Sequence, residues 1–145
     1  MKALLQRVSR AEVRIADAVV GSIDAGLLAL VGFEVDDDPQ RVSRLFQRML
    51  RYRIFPDDRG RMNQSLLEVA GGLLLVPQFT LVADTRRGLR PGFSRGADPA
   101  HGQALFSHLV AVAGEAGLEV QTGRFGADMA VELVNQGPAT FWLEG

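Results

Sequence analysis

The chain has 145 residues, 47% of them hydrophobic, which suits one domain over residues 1–145 with a real core. It has no cysteine, which removes disulfides, thiol catalysis and thiolate metal sites, and its net charge of -1 argues against wholesale polyanion binding. No apolar run approaches the roughly 18 to 20 residues of a membrane span, and the first segment lacks secretory-signal flanks, so a cytoplasmic, membrane-free protein is expected.

The first third reads as strands: "ALLQRVS", "AEVRI", "AVVGSI" and "GLLALVGF", separated by polar or glycine-containing turns. "AEVRI" and "AVVGSI" are close enough to form a hairpin across Ala16 to Ala18. "DDDP" is a helix start, with Asp38 as N-cap and Pro39 in the first position. Behind it Val42, Leu45, Phe46, Met49 and Leu50 recur at helical spacing and define a buried face. Arg41, Arg44, Arg48 and Arg51 take the opposite face, which reads as a solvated surface.

"RYRIF" leads into a turn at "PDDRG". "SLLEVA" and "LLLVPQFTLVA", joined at Gly71-Gly72, read as a β-hairpin. A second helix opens at "ADP", carries Leu105, Phe106, Leu109, Val110 and Val112 on its apolar face, and ends near Gly117. "LEVQTG" and "MAVELV" are two further strands, and "TFWLE" is a last short one. Sequential strands with two separated helices predict an α+β fold, a mainly antiparallel sheet with a barrel-like core and two main helices.

Conventional catalytic groupings are nearly absent. His101 and His108 are the only histidines, seven residues apart in one predicted helix, which is not the spacing of a helical zinc pair. "GFSRG", Gly92 to Gly96, matches G-x-S-x-G formally but lacks the strand before it and the helix after it. Neither a metal site nor a cofactor is expected. Of the sixteen basic residues fifteen are arginine, and Arg86, Arg87, Arg90 and Arg95 crowd the glycine-rich "DTRRGLRPGFSRG". Guanidinium groups on such a loop suit phosphate, and Phe93 suits stacking on a base or ring. In "VPQFTL", Pro77 lacks a ladder donor and points to a strand edge or bulge, where freed N–H groups suit an oxyanion. "NQGPAT", Asn135 to Thr140, separates "MAVELV" from "FWLEG" and carries a Gly-Pro turn signal.

Together "PQFTL" and "NQGPAT" resemble the two signature motifs of the D-aminoacyl-tRNA deacylases. The likeness extends through "LLQRVSRAEV", "GRMNQSL", "RGLRPGF" and "GRFGADM", in order along nearly the whole chain. The resemblance implies hydrolysis of the ester joining a D-amino acid to the terminal adenosine of tRNA, by a homodimer with sites at the subunit interface. It implies a cis Gly137-Pro138 element that enters the partner's pocket and reads chirality with backbone oxygens, with Asn135 of the same motif among the substrate-binding residues. Gln78, Phe79 and Thr80 would line the ester site, with N–H groups near Phe79 and Thr80 facing the oxyanion. Phe125 and Met129 match positions around the terminal adenine, and Arg7 one that braces the Gly-Pro loop. The tRNA 2′-hydroxyl is favoured over Thr80 as the group that assists attack.

Pro77 departs from the serine usual in the family and resembles animal relatives that remove L-alanine from mischarged tRNA, although Phe79, which those lack, is retained. Glycine has no side chain to exclude, so glycyl-tRNA should also enter. Two other readings compete: an L-alanyl-tRNA deacylase, and a dimeric RNA-binding module without catalysis.

Overall fold

A computed structural model describes residues 1–145. Its spine is β1 (Lys2–Ile15), 14 residues in which the two expected strands run on as one. β2 (Ala18–Ile23) returns from it as the expected hairpin, and β3 (Gly26–Gly32) pairs with its first half. Along its other edge β1 is covered by β8 (Ala130–Glu144), antiparallel from Lys2↔Glu144 to Arg14↔Ala130.

Beyond β3 the sheet changes direction. β6 (Gly72–Pro77) pairs parallel with β3, and β7 (Val120–Thr122) pairs parallel with β6. Parallel neighbours need crossovers, and α1 (Pro39–Arg51) and α3 (Pro99–Gly114) lie in them. β2 then meets β7 and nearly closes a barrel: a Cβ on Gly21 would stand 2.8 Å from the Thr122 carbonyl oxygen. The sheet is therefore mixed, antiparallel around β1 and parallel from β3 to β7.

Both long helices start as the Asp-Pro pairs predict. Asp38 accepts from the Arg41 amide at 2.7 Å, and Asp98 accepts from the amides of Ala100 and His101. The expected face of α1 is buried, and its four arginines are exposed. α3 buries Leu105, Phe106 and Leu109, leaves Val110 and Val112 half-buried, and stops at Gly114, short of Gly117. One core lies between these helices and the sheet. A second fills the barrel interior with Val8, Val13, Ile23, Leu28, Leu74 and Val76. β6 borders both cores, which explains its unbroken apolar sequence.

The expected hairpin at Gly71-Gly72 does not form. "SLLEV" is a short helix, α2 (Leu66–Val69), because Ser65 and Glu68 make a reciprocal capping box. Four apolar or neutral residues had suggested a strand, and the local S-x-x-E signal overrides them. The "PDDRG" turn does form, between β4 (Phe55–Pro56) and β5 (Met62–Gln64), with Asp57 accepting from the amides of Arg59 and Arg61. These bonds, that to Arg61 first, hold the Asp57 carboxyl below its ordinary range.

Candidate active site

β6 ends at Pro77, and the chain turns into a 3₁₀ helix, Phe79–Val82, where a continuing strand was expected. Pro77 suits this position. The Gln78 amide reaches the Val31 carbonyl at 2.7 Å, so by alternation the nitrogen of Pro77 faces away from β3. On that side β7 has already stopped, its last pair being Leu75↔Thr122. Proline therefore removes no ladder bond.

The turn opens a cavity of about 460 Å³. Pro77, Gln78 and Phe79 line it together with Phe125, Met129 and Val131, among others. The first amides of the turn, those of Phe79 and Thr80, have no side-chain cap. Gln78 donates its side-chain amide to the Thr80 hydroxyl, which ties that hydroxyl to the turn and not to any base. Thr80 itself is exposed and lies outside the cavity lining. The cavity's single charged residue is Asp128, also exposed.

Phe79 is 64% exposed and meets Phe93 with ring centroids 5.1 Å apart. Phe93 thus packs, tilted, against the site itself, an association that its place in an arginine-rich loop does not indicate. That loop is closed by the Asp84↔Gly92 bridge and by a two-pronged Arg86–Asp84 pair. The bonds from Arg86 hold the Asp84 carboxyl well below the usual range. Arg95 pairs with Glu34 at 2.9 Å. Two of the loop's four arginines are therefore already matched to carboxylates. Within "GFSRG" there is no strand-to-helix elbow, in agreement with its rejection as a nucleophile motif.

A second group of predicted residues lies elsewhere, on β8. Gln6 pairs with Thr140 and Val8 with Asn135, so the four residues Gln136–Ala139 bulge out opposite Arg7 alone. This bulge contains Gly137-Pro138, whose peptide bond is cis. It is clamped at three points. Asn135 accepts from the Ala139 amide at 3.0 Å and donates to the Thr140 hydroxyl at 2.7 Å. Arg7 donates to the Gln136 carbonyl at 3.0 Å and, through a second nitrogen, to that of Ile54. Gly137 has φ +128, and a Cβ there would stand 2.6 Å from the Arg7 guanidinium. Gly137 and Pro138 are exposed, and neither lines the cavity.

The structure thus brings Gln78, Phe79, Phe125 and Met129 together and sets Arg7, Asn135, Gly137 and Pro138 apart from them. Both histidines are used in packing: His108 bonds Ser43 at 2.8 Å between α3 and α1, and His101 the Asp37 carbonyl at 2.9 Å. No helix is long and apolar enough to cross a membrane.

Fold and site define a small mixed-barrel protein whose cleft is built from main-chain amides and apolar walls, with ionisable side chains nearly absent. The chain belongs to the family described as D-Tyr-tRNA(Tyr) deacylase, which it matches over residues 4–144. It is 60% identical to a D-aminoacyl-tRNA deacylase of Pseudomonas aeruginosa (strain LESB58), over 99% of each chain. It is 54% identical to that of Pectobacterium atrosepticum, again over 99% of each. Among solved structures it superposes on the c-Myc DNA Unwinding Element Binding Protein with a TM-score of 0.92 and 30% identity, covering 100% of this chain and 99% of that one. A probable eukaryotic D-amino acid tRNA deacylase shares the fold, with a TM-score of 0.79 at 18% identity and 98% coverage of both.

Proposed function

We infer that the chain is a D-aminoacyl-tRNA deacylase, one catalytic domain over residues 1–145 that works in the cytoplasm as a homodimer. The observation that carries this reading is the division of the predicted site. A cavity with uncapped amides and a rigid, exposed Gly-Pro bulge lie apart on one chain. Two copies related by a twofold axis would exchange bulges, each filling the other's cavity mouth.

In the joined site the carbonyls of Gly137 and Pro138 accept from the substrate's α-ammonium group. With that group fixed, an L side chain meets the wall and a D side chain points outward. Glycine passes the same filter. Phe125 and Met129 hold the terminal adenine, and the amides of Phe79 and Thr80 face the carbonyl oxygen as it becomes an oxyanion. Water, assisted by the ribose 2′-hydroxyl, adds to the ester carbonyl. The C–O bond to the ribose then breaks, releasing the free D-amino acid and tRNA with its 3′-hydroxyl protonated. Thr80 is not assigned as nucleophile, because its hydroxyl is engaged by Gln78 and no base adjoins it.

The test is a panel of D-tyrosyl-, L-tyrosyl-, L-alanyl- and glycyl-tRNA. Cleavage of the D-tyrosyl and glycyl esters with the L-tyrosyl ester spared is expected. Thr80→Ala should keep turnover within about tenfold, whereas a substrate ending in 2′-deoxyadenosine should lose most of it. Complete loss in the Thr80 variant with binding intact would reinstate the nucleophile. Pro77 in the cavity wall favours a second reading, an L-alanyl-tRNA deacylase, which cleavage of L-alanyl-tRNA alone would establish. Binding of every substrate with hydrolysis of none would mark a non-catalytic RNA-binding module.

A further inference from the structure

The largest group of arginines without an ion pair on any one element lies on α1. Its thirteen residues include four arginines and no aspartate or glutamate, although the chain as a whole is slightly acidic. Arg41, Arg44, Arg48 and Arg51 recur at steps of three, four and three, which keeps them on one helix face. Over ten residues that ridge extends about 15 Å. None of the four pairs with a carboxylate, in contrast to Arg10, Arg14, Arg61, Arg86 and Arg95. Arg41 and Arg48 reach main-chain carbonyls, of Asp36 and Glu144, and form no ion pair.

The ridge also has a direction. Its carboxyl-terminal end, Arg51, leads through Tyr52 and Arg53 to Ile54, whose carbonyl receives Arg7. Arg7 in turn holds the Gly-Pro bulge. Arg51 and Arg53 line a shallow hollow with Ile54 and Phe141, two residues beyond Ala139 at the end of the bulge. Arg53 is the less available end: Glu68, held below its ordinary range first by Ser65, also feels its charge.

We propose that the exposed face of α1 is a track for the phosphate backbone of the tRNA acceptor arm, running away from the bulge. This rests on the functional reading above, in which the bulge of one protomer completes its partner's cavity. The ridge of one protomer therefore binds the tRNA whose 3′ end is cleaved in the partner's cavity. Phosphate recognition of this kind positions the substrate and reads no sequence, so arginines spaced along a helix suffice without base-specific partners. It also offers a slightly acidic protein a way to hold a polyanion, because four arginines without ion pairs share one helix face.

The test is the combined Arg44→Gln, Arg48→Gln and Arg51→Gln variant. Glutamine keeps helix propensity, and the three side chains are exposed, so the fold should persist; a matching circular-dichroism melt checks this. Affinity for deacylated tRNA, read by fluorescence anisotropy at about 0.1 M salt, should fall at least tenfold. The slope of log affinity against log salt should become shallower by about two to three. The triple lysine variant should restore most binding. Hydrolysis of a short D-tyrosyl oligonucleotide ending in CCA should match wild type, while KM for whole D-tyrosyl-tRNA rises and kcat holds. Unchanged tRNA affinity and salt slope would overturn the proposal and turn the ridge toward an acidic protein partner. Equal loss on the short and whole substrates would overturn it as well. Because deacylated tRNA is the binding probe, a wild-type protein without hydrolytic activity defeats the functional reading and leaves the ridge to be judged separately.

Discussion

The bulge at Gln136–Ala139 and the turn at Phe79–Val82 both interrupt the course of a strand, yet they are finished in opposite ways. The bulge is tied by Arg7, Asn135 and Thr140 and held to one shape while exposed. The turn begins with amides that no side chain caps, beside an open cavity. Under the proposed function, an element that would discriminate by the position of two carbonyl oxygens gains from having its side-chain bonds made in advance. An element that stabilises a developing charge must keep its donors unspent until the charge appears. The same chain rigidifies one backbone break and leaves the other polar and unsatisfied.

The largest effect should come from loosening the tied break. Gly137→Ala places a methyl group 2.6 Å from the Arg7 guanidinium at a backbone angle that L residues rarely adopt. Deacylation of D-tyrosyl-tRNA should fall about a hundredfold or more, the scale of a misplacement of about 1 Å in a reacting site. Arg7→Ala removes two charge-assisted bonds to carbonyls and should cost about 1.5–3 kcal/mol of stability, measured by urea denaturation. Activity should drop by at least about tenfold, and Arg7→Lys should not recover it, since one ammonium does not span two divergent carbonyls.

Changes at the open break should be milder. Phe79→Ala strips the ring that meets Phe93, and a threefold to tenfold rise in KM, about 0.5–1.5 kcal/mol, is expected with little change in kcat. The smallest effect concerns the adjoining loop. The Asp84 carboxyl is depressed by its bonds to Arg86, so its contribution to loop closure is complete above the ordinary carboxylate value near about 4. That contribution is lost only as pH falls further, through the depressed value. A carbon-detected NMR titration of Asp84 should therefore show no inflection between neutral pH and about 4, and an inflection within that range would dissolve the loop as a fixed frame for Phe93.

The helices were legible because their signals are local. Asp38-Pro39 and Asp98-Pro99 fixed both starts, and the spacing of Val42, Leu45, Phe46, Met49 and Leu50 fixed the buried face of α1. Strand partners were less legible, because pairing is decided by residues far away. Nothing near Gly72 says that β6 will lie parallel to β3, and the S-x-x-E cap at Ser65, not the apolar run, decides the local structure before it. "PQFTL" and "NQGPAT" stood out as motifs, but alternation made the first look like strand where the chain turns into a 3₁₀ helix. Conversely, "MAVELV" and "TFWLE" look like two strands and are one, because the bulge places four residues opposite Arg7 alone and the ladder resumes on either side. The arginine-rich loop stands out in sequence more than α1 does, because sequence does not reveal that Asp84 and Glu34 already answer Arg86 and Arg95.

The ladder between β1 and β8 joins residues as distant as Lys2 and Glu144, and β8 has no other strand partner in the chain. Contacts of such long sequence separation are among the slowest to close, because nearly the whole chain must be ordered before they are rewarded. During synthesis β6 and the turn after it can therefore form before β8, which carries the Gly-Pro bulge and also contributes Val131 to the cavity. Pulse-labelled hydrogen exchange should find the amides of Ala130–Asn135 protected later than those of Leu73–Val76. A refolding chain would then hold its Phe79–Val82 turn before its Gly-Pro bulge, and under the proposed function the element that reads chirality would be the last part of the molecule to come into being.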